Sequence, residues 1–186
     1  IGVIDEMQRR IALLFSVDSI MRYVNKLVNV RKEFEKQQKS LEIILRSKDE
    51  ADKLWQQTID LAVKSPFRVK ELVTYTKQLA AYRIETEKLH STTKMLADVS
   101  AGLGVDMNRL ILAYGQVRAA EYLRGTELRQ FTEAGVPMLE ELAKHFTELN
   151  GKATTTAEVF EMISKRMVLF EDGEAVFKRI TSVLLA

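Results

Sequence analysis

Few side chains in this chain stand at spacings that chemistry uses. Ser91-Thr92-Thr93-Lys94 has the S-x-x-K spacing of some acyl-transfer enzymes, where the lysine amine takes the serine proton. Neither partner motif of that chemistry, S-D-N or K-T-G, occurs, so the pair reads as two neighbours on a helix surface. His90 and His145 are the only histidines, and neither has a second histidine four residues away, as a helical zinc site requires. Glu141 and Glu148 flank His145 at helical-neighbour spacing, which predicts a surface pair instead of a metal site. Gly102-Leu103-Gly104 precedes a helix start that could hold an anion, but no strand leads into it and a third glycine is missing. It reads as a helix–helix turn. These residues predict no catalytic, cofactor-binding or metal site.

The densest polar stretch is different in kind. Arg118, Glu121, Tyr122, Arg124, Glu127 and Arg129 alternate in sign at helical spacing between two glycine breaks. Such a ridge either ties neighbouring helices together or meets a partner protein, and both readings stand. As a candidate site it is a protein-contact surface.

The elements that must position these residues are helical. Only two prolines and eight glycines interrupt 186 residues rich in strong helix formers, and no segment alternates with period two. The chain predicts an all-α fold, a compact multi-helix domain of about nine or ten helices with one long N-terminal helix. Cysteine is absent, which excludes a disulfide framework and fits a reducing compartment. Charged residues make up 29% and nearly cancel to +2, without the clustered basic stripe of a nucleic-acid binder. No apolar run approaches the roughly 20 residues that span a bilayer, so neither nucleic acid nor membrane contact is expected of this segment. The chain opens on Ile1, which suggests an excerpt of a longer polypeptide.

Residues 1–46 read as a long helical segment and 47–186 as a globular helical domain. Within the first, Ile4, Met7, Ile11, Leu14 and Phe15 share one helical face. From Ser16 to Arg46, about 45 Å of helix, Ile20, Leu27, Phe34 and Leu41 recur every seven residues, with Tyr23, Val30, Gln37 and Ile44 three behind. That stripe fits a core helix or an inter-chain coiled coil. Downstream, Ser47 with Glu50 and Thr155 with Glu158 have capping-box spacing. Ser65-Pro66, Thr86, Asp106, Thr126 and Pro137 mark helix starts, and a last helix is expected from Glu174. Gly115 inside a helix predicts close approach of another backbone. Val159, Phe160, Ile163 and Met167 follow the second box.

Four stretches carry a resemblance: "AVKSPF" (Ala62 to Phe67), "LVTYTKQLAAY" (Leu72 to Tyr82), "TTKMLADVSAGLGVDMNRLILAYGQVRAAEYLRGTELRQFTEAGVPMLEELAKHF" (Thr92 to Phe146) and "TTAEVFEMISKRMV" (Thr155 to Val168). Together they resemble the tape-measure domain of tailed-phage and prophage tail tape measure proteins, from about Phe34 to Ile180. "AYGQVRAAEYLRGTELRQFTEAG" is the most specific block. The resemblance implies a structural protein and not an enzyme. It implies tail assembly and tail-length determination through contacts with tail tube protein, tail assembly chaperones and tail-tip or baseplate proteins. It also implies a place in the bacterial cytoplasm during assembly and in the virion's tail afterwards. Homo-oligomerisation stays open. So does the alternative of a helical adaptor or scaffold module from an unrelated bacterial assembly.

The segment departs from a ruler in one respect. Drawn out as one helix it would reach roughly 280 Å. Yet Pro66, Gly102, Gly104, Gly125, Pro137 and Gly151 break it, and its amphipathic faces need burial. A folded docking module is therefore expected, with the measuring helix elsewhere in the polypeptide.

Overall fold

The computed structural model describes residues 17–186. The expected helix over Ile4 to Phe15 lies outside them, as do the side chains of Ile20 and Tyr23. Among the described residues there are nine helices and no strand: α1 (Val17–Leu45), α2 (Lys48–Lys64), α3 (Val69–Ala81), α4 (Thr86–Leu103), α5 (Met107–Ala120), α6 (Gly125–Ala134), α7 (Met138–Asn150), α8 (Thr156–Ser164) and α9 (Phe170–Leu184). The fold is all-α, as the helix-forming composition dictates.

The contacts divide the chain between Ser40 and Leu41. In the first unit α1 carries a row of exposed apolar side chains, Leu27, Val30 and Phe34 among them. In the second unit Leu41 is 1% exposed and joins the core, with Leu45 packed against it. The last turn of α1 thus belongs to the second unit.

Helix α4 lies at the centre of the second unit, touching α2, α3, α5 and α9. Its sequence explains this: Leu89, Met95, Leu96 and Val99 are buried, and so are Thr92, Thr93 and Ser100, interleaved with them at helical spacing. Those small polar residues leave no orphan hydroxyl. Thr93 donates to the Leu89 carbonyl at 2.8 Å and meets Thr76 of α3 at 3.1 Å. A buried hydroxyl so paired avoids the desolvation penalty that an unpaired one carries.

Where α5, α6 and α9 meet, four rings interlock. Tyr114 stands edge-on to Phe170 at 5.2 Å and to Phe177 at 5.5 Å, and Phe177 meets Phe131 at 5.3 Å. Burial drives the Tyr114 hydroxyl well above the usual phenol range, although a hydrogen bond to Thr92 opposes the shift. The space left among these rings is about 10 Å³, too small and too apolar to serve as a reaction pocket.

Several starts differ from the sequence expectation. Pro66 does not begin a helix: Ser65 is the extended C-cap of α2, the backbone that a following proline favours. Helix α3 starts at Val69 because the Glu71 carboxylate accepts the Arg68 N–H at 2.7 Å, while Phe67 is held edge-on to Tyr75. Thr86 is the first residue of α4, not its cap; Glu85 is. Thr126 lies inside α6, whose cap is Arg124. Helix α9 begins at Phe170, four residues before Glu174, since Asp172 accepts the Leu169 N–H at 2.8 Å. Phe160 and Met167 are exposed; from α8, Val159 and Ile163 are buried in the core and Met162 packs against it. A Cβ on Gly115 would lie 2.1 Å from a ring carbon of Tyr82, so a side chain, not a backbone, approaches there. The Thr155–Glu158 box forms in full. Ser47 accepts the Glu50 N–H as expected.

Candidate protein-contact surface

Helix α5 sets the ridge. Tyr114 and Val117 turn inward, so Arg118, one residue on, emerges at the helix flank. Its Nη2 donates to Glu85 at 3.2 Å, and its guanidinium lies 5.3 Å from the centroid of the Phe170 ring. Its Nε–H is buried with no acceptor in the described chain. The Glu85 carboxyl is held below the usual range, first by its own backbone N–H, then by Lys88 and Arg118.

Glu121 ends α5 with φ +67°, a backbone conformation that L side chains rarely adopt. Its carbonyl accepts the Phe170 N–H at 3.0 Å, and the Leu123 N–H donates to Val168 at 2.8 Å. Tyr122 and Leu169 thereby form an isolated antiparallel bridge. Alternation follows as on any extended pair. Leu123 and Val168 are buried, while Met167 and Leu169 are exposed beside a half-buried Tyr122. The Arg166 guanidinium stacks 5.5 Å over the Tyr122 ring.

Arg124 forks onto Glu127 through Nε at 2.9 Å and Nη2 at 2.5 Å. Glu127 is 1% exposed, so it offers no surface of its own; the expectation that it lies on a contact face is corrected by its burial. Arg129 is free of the core and pairs loosely with Glu133 at 3.9 Å. Gln130 donates to Gln116 at 3.1 Å, tying α6 to α5. Arg118, Glu127 and the Glu121 backbone therefore fasten the helices. The side chains of Glu121, Arg124 and Arg129 face solvent with Tyr122 half-buried among them.

Arg166 and Leu169 were not singled out by sequence reasoning, and Met167 was read only as an apolar residue after the second capping box. They join this surface because two segments far apart in the chain pair their backbones. Arg83, also not singled out, stands beside Arg118 and Glu121 at the end of α3. The local pattern holds no signal for either placement.

The chemical candidates disperse. Ser91 donates to the Lys88 carbonyl at 3.0 Å, and Lys94 donates to Asp98 at 2.6 Å, so serine and lysine do not meet. His145 pairs with Asp172 at 3.2 Å, not with Glu141 or Glu148, because both of those are drawn to Arg179. His90 is half-buried; that burial, with Lys94 nearby, lowers its pKa against an opposing pull from Asp60. Gly102 lies within α4, and the N-terminus of α5 is already met by the Asp106 carboxylate, which accepts the Arg109 N–H at 2.9 Å. Among the described residues no cluster of His, Asp or Glu is arranged for a metal ion. No helix there is long and apolar enough to cross a membrane.

Comparison with known families gives one result. A family model described as tape measure protein matches residues 25–183. No curated protein and no solved structure matches.

Proposed function

Because the chain belongs to the tape measure protein family, a structural family of phage tails, we propose that it takes part in tail assembly and tail-length determination. It does so as a folded docking module. The observation that carries this reading is the family match, which runs from α1 almost to the end of α9.

Its partners are tail tube protein, tail assembly chaperones and tail-tip or baseplate proteins, met in the bacterial cytoplasm during assembly and kept in the finished tail. The part of α1 up to Ser40 is the helical lead and residues 41–186 are the module. The contact surface is the exposed part of the ridge: Arg118 at its edge, then Glu121, Tyr122, Arg124 and Arg129. Helices ending on glycine breaks and facing a common core support a module that keeps its fold. A ruler, in contrast, needs uninterrupted extension.

The test is in-frame removal of residues 41–186 from the tail gene of the phage or prophage that encodes it. The reading expects loss of intact tails in electron micrographs. Normal tails in normal number would overturn it and favour an adaptor from another assembly.

A further inference from the structure

Helices α3 and α5 end side by side, and between their last turns lies a pocket of about 390 Å³. Its lining is polar: Tyr82 and Arg83 from the end of α3, Arg118 and Glu121 from the end of α5, with Ala81 and Ala119. A volume of this order is at the small end of pockets that hold ligands.

Three observations set this pocket apart. Arg83 and Glu121 both sit at positive φ, +64° and +67°, where a helix end ordinarily takes glycine. Two long charged side chains are thus kept, at the expense of backbone strain, on opposite walls of one pocket. Such strain clusters where a side chain's identity serves a function. Arg83 is exposed and, among the described residues, has no carboxylate partner. Arg118 is incompletely satisfied: Nη2 reaches Glu85, the face covers Phe170, and Nε–H has no acceptor.

We propose that this pocket receives a carboxylate presented by a partner protein. Arg83 meets it from one wall. A small rotation of the Arg118 guanidinium turns its planar fork toward it, giving the orphaned Nε–H an acceptor. Two coplanar N–H donors match a carboxylate's two oxygens. Glu121 in the lining, and Glu85 held on Arg118, disfavour a doubly charged phosphate more than a singly charged carboxylate. The proposal rests on the protein-contact reading of the chain and names what one part of that surface recognises.

The experiment titrates the purified 186-residue chain and follows the Arg118 Nε–Hε signal by NMR. The probes are acetyl-Ala-Glu-Ala-amide, acetyl-Ala-Ala-Ala with a free C-terminal carboxylate, acetyl-Ala-Gln-Ala-amide, inorganic phosphate and a short single-stranded DNA. Saturable shifts with a carboxylate peptide, weakened at high salt, and none with the glutamine peptide are expected. Whichever carboxylate peptide binds more tightly identifies the source as an acidic side chain or a chain terminus. Arg83→Gly removes one guanidinium at a position whose φ suits glycine. It is expected to keep or raise Tm while weakening peptide binding at least fivefold. No saturable shift, an equal response to the glutamine peptide, tighter binding of phosphate or DNA, or undiminished binding by Arg83→Gly would each overturn the proposal. A silent titration alongside lost tails in the 41–186 deletion would remove the pocket's role and leave the tail role standing.

Discussion

Two turns bracket α5, and both bend the backbone through the same φ of +67°, yet they are built on opposite principles. The first uses Gly104, then Asp106 to cap the next helix, with Ser100 donating to the Val105 carbonyl at 2.6 Å. Every bond that holds it comes from within about nine residues. The second places Glu121 at the strained position and caps α6 with Arg124, whose side chain makes no capping bond. It is held from afar, by the Val168 carbonyl and the Phe170 N–H. A turn made of local bonds needs only the right residues. A turn clamped by tertiary bonds frees its own positions for other work, and here those positions carry the charged ridge.

The largest effect should come from releasing the clamp. Phe177 touches both Tyr114 of α5 and Phe131 of α6, the helices on either side of the second turn. Phe177→Ala is expected to cost about 3–5 kcal/mol by chemical denaturation. Amide exchange should then rise at Leu123 and Phe170 and stay slow at Val105. Equal loss of protection in both turns would erase the distinction.

The next pair exchanges the two φ residues. Gly104→Ala forces a Cβ into the left-handed region and should cost roughly 1–2 kcal/mol. Glu121→Gly removes that strain but frees the unfolded chain, so it should change stability by less than about 1 kcal/mol. Thermal melts of the two variants check the contrast, and equal losses would contradict it.

Capping tests the same point more gently. Asp106→Ala should cost about 1 kcal/mol in denaturant melts, because one N–H loses its acceptor. Arg124→Ala removes no capping bond; its effect runs through Glu127, left buried without its guanidinium. Adding Glu127→Gln should therefore restore most of what Arg124→Ala loses. A double variant no more stable than Arg124→Ala would show that the fork is not what matters.

The smallest effect is a pH slope. His90 has its folded pKa lowered by burial, so the unfolded chain binds the proton more readily. Its contribution is present above the ordinary histidine value, near 6.5, and is lost as pH falls below that value toward the folded pKa. Tm should fall slightly over that window, and His90→Gln should flatten the slope. An unchanged slope in that variant would assign it elsewhere.

The same contrast explains what the sequence revealed. The all-α class, the cap at Asp106 and the box at Thr155–Glu158 rest on residues whose partners lie within four positions. Each could be read directly. The misplaced starts at Pro66, Thr126 and Glu174 share a cause: the true caps, Arg68, Arg124 and Leu169, are not capping residue types, and their helices begin where a later acid or a distant strand-like pair permits. The ridge was legible as a charged stretch, but not its division. Glu127 is buried because α6 packs its inner face on the core, and the helical alternation of charge hid that. Arg83 and Arg166 were invisible because their importance arises from positive φ and from neighbours far along the chain.

The most direct test of the central claim, a folded module that docks and does not measure, is tail length. Residues 41–186 would be duplicated in tandem within the tail gene, and the resulting tails measured by electron microscopy. A docking module predicts tails of unchanged length. If the segment is itself a length of helical ruler, tails will be longer by about 220 Å, at 1.5 Å per added residue, and the account fails.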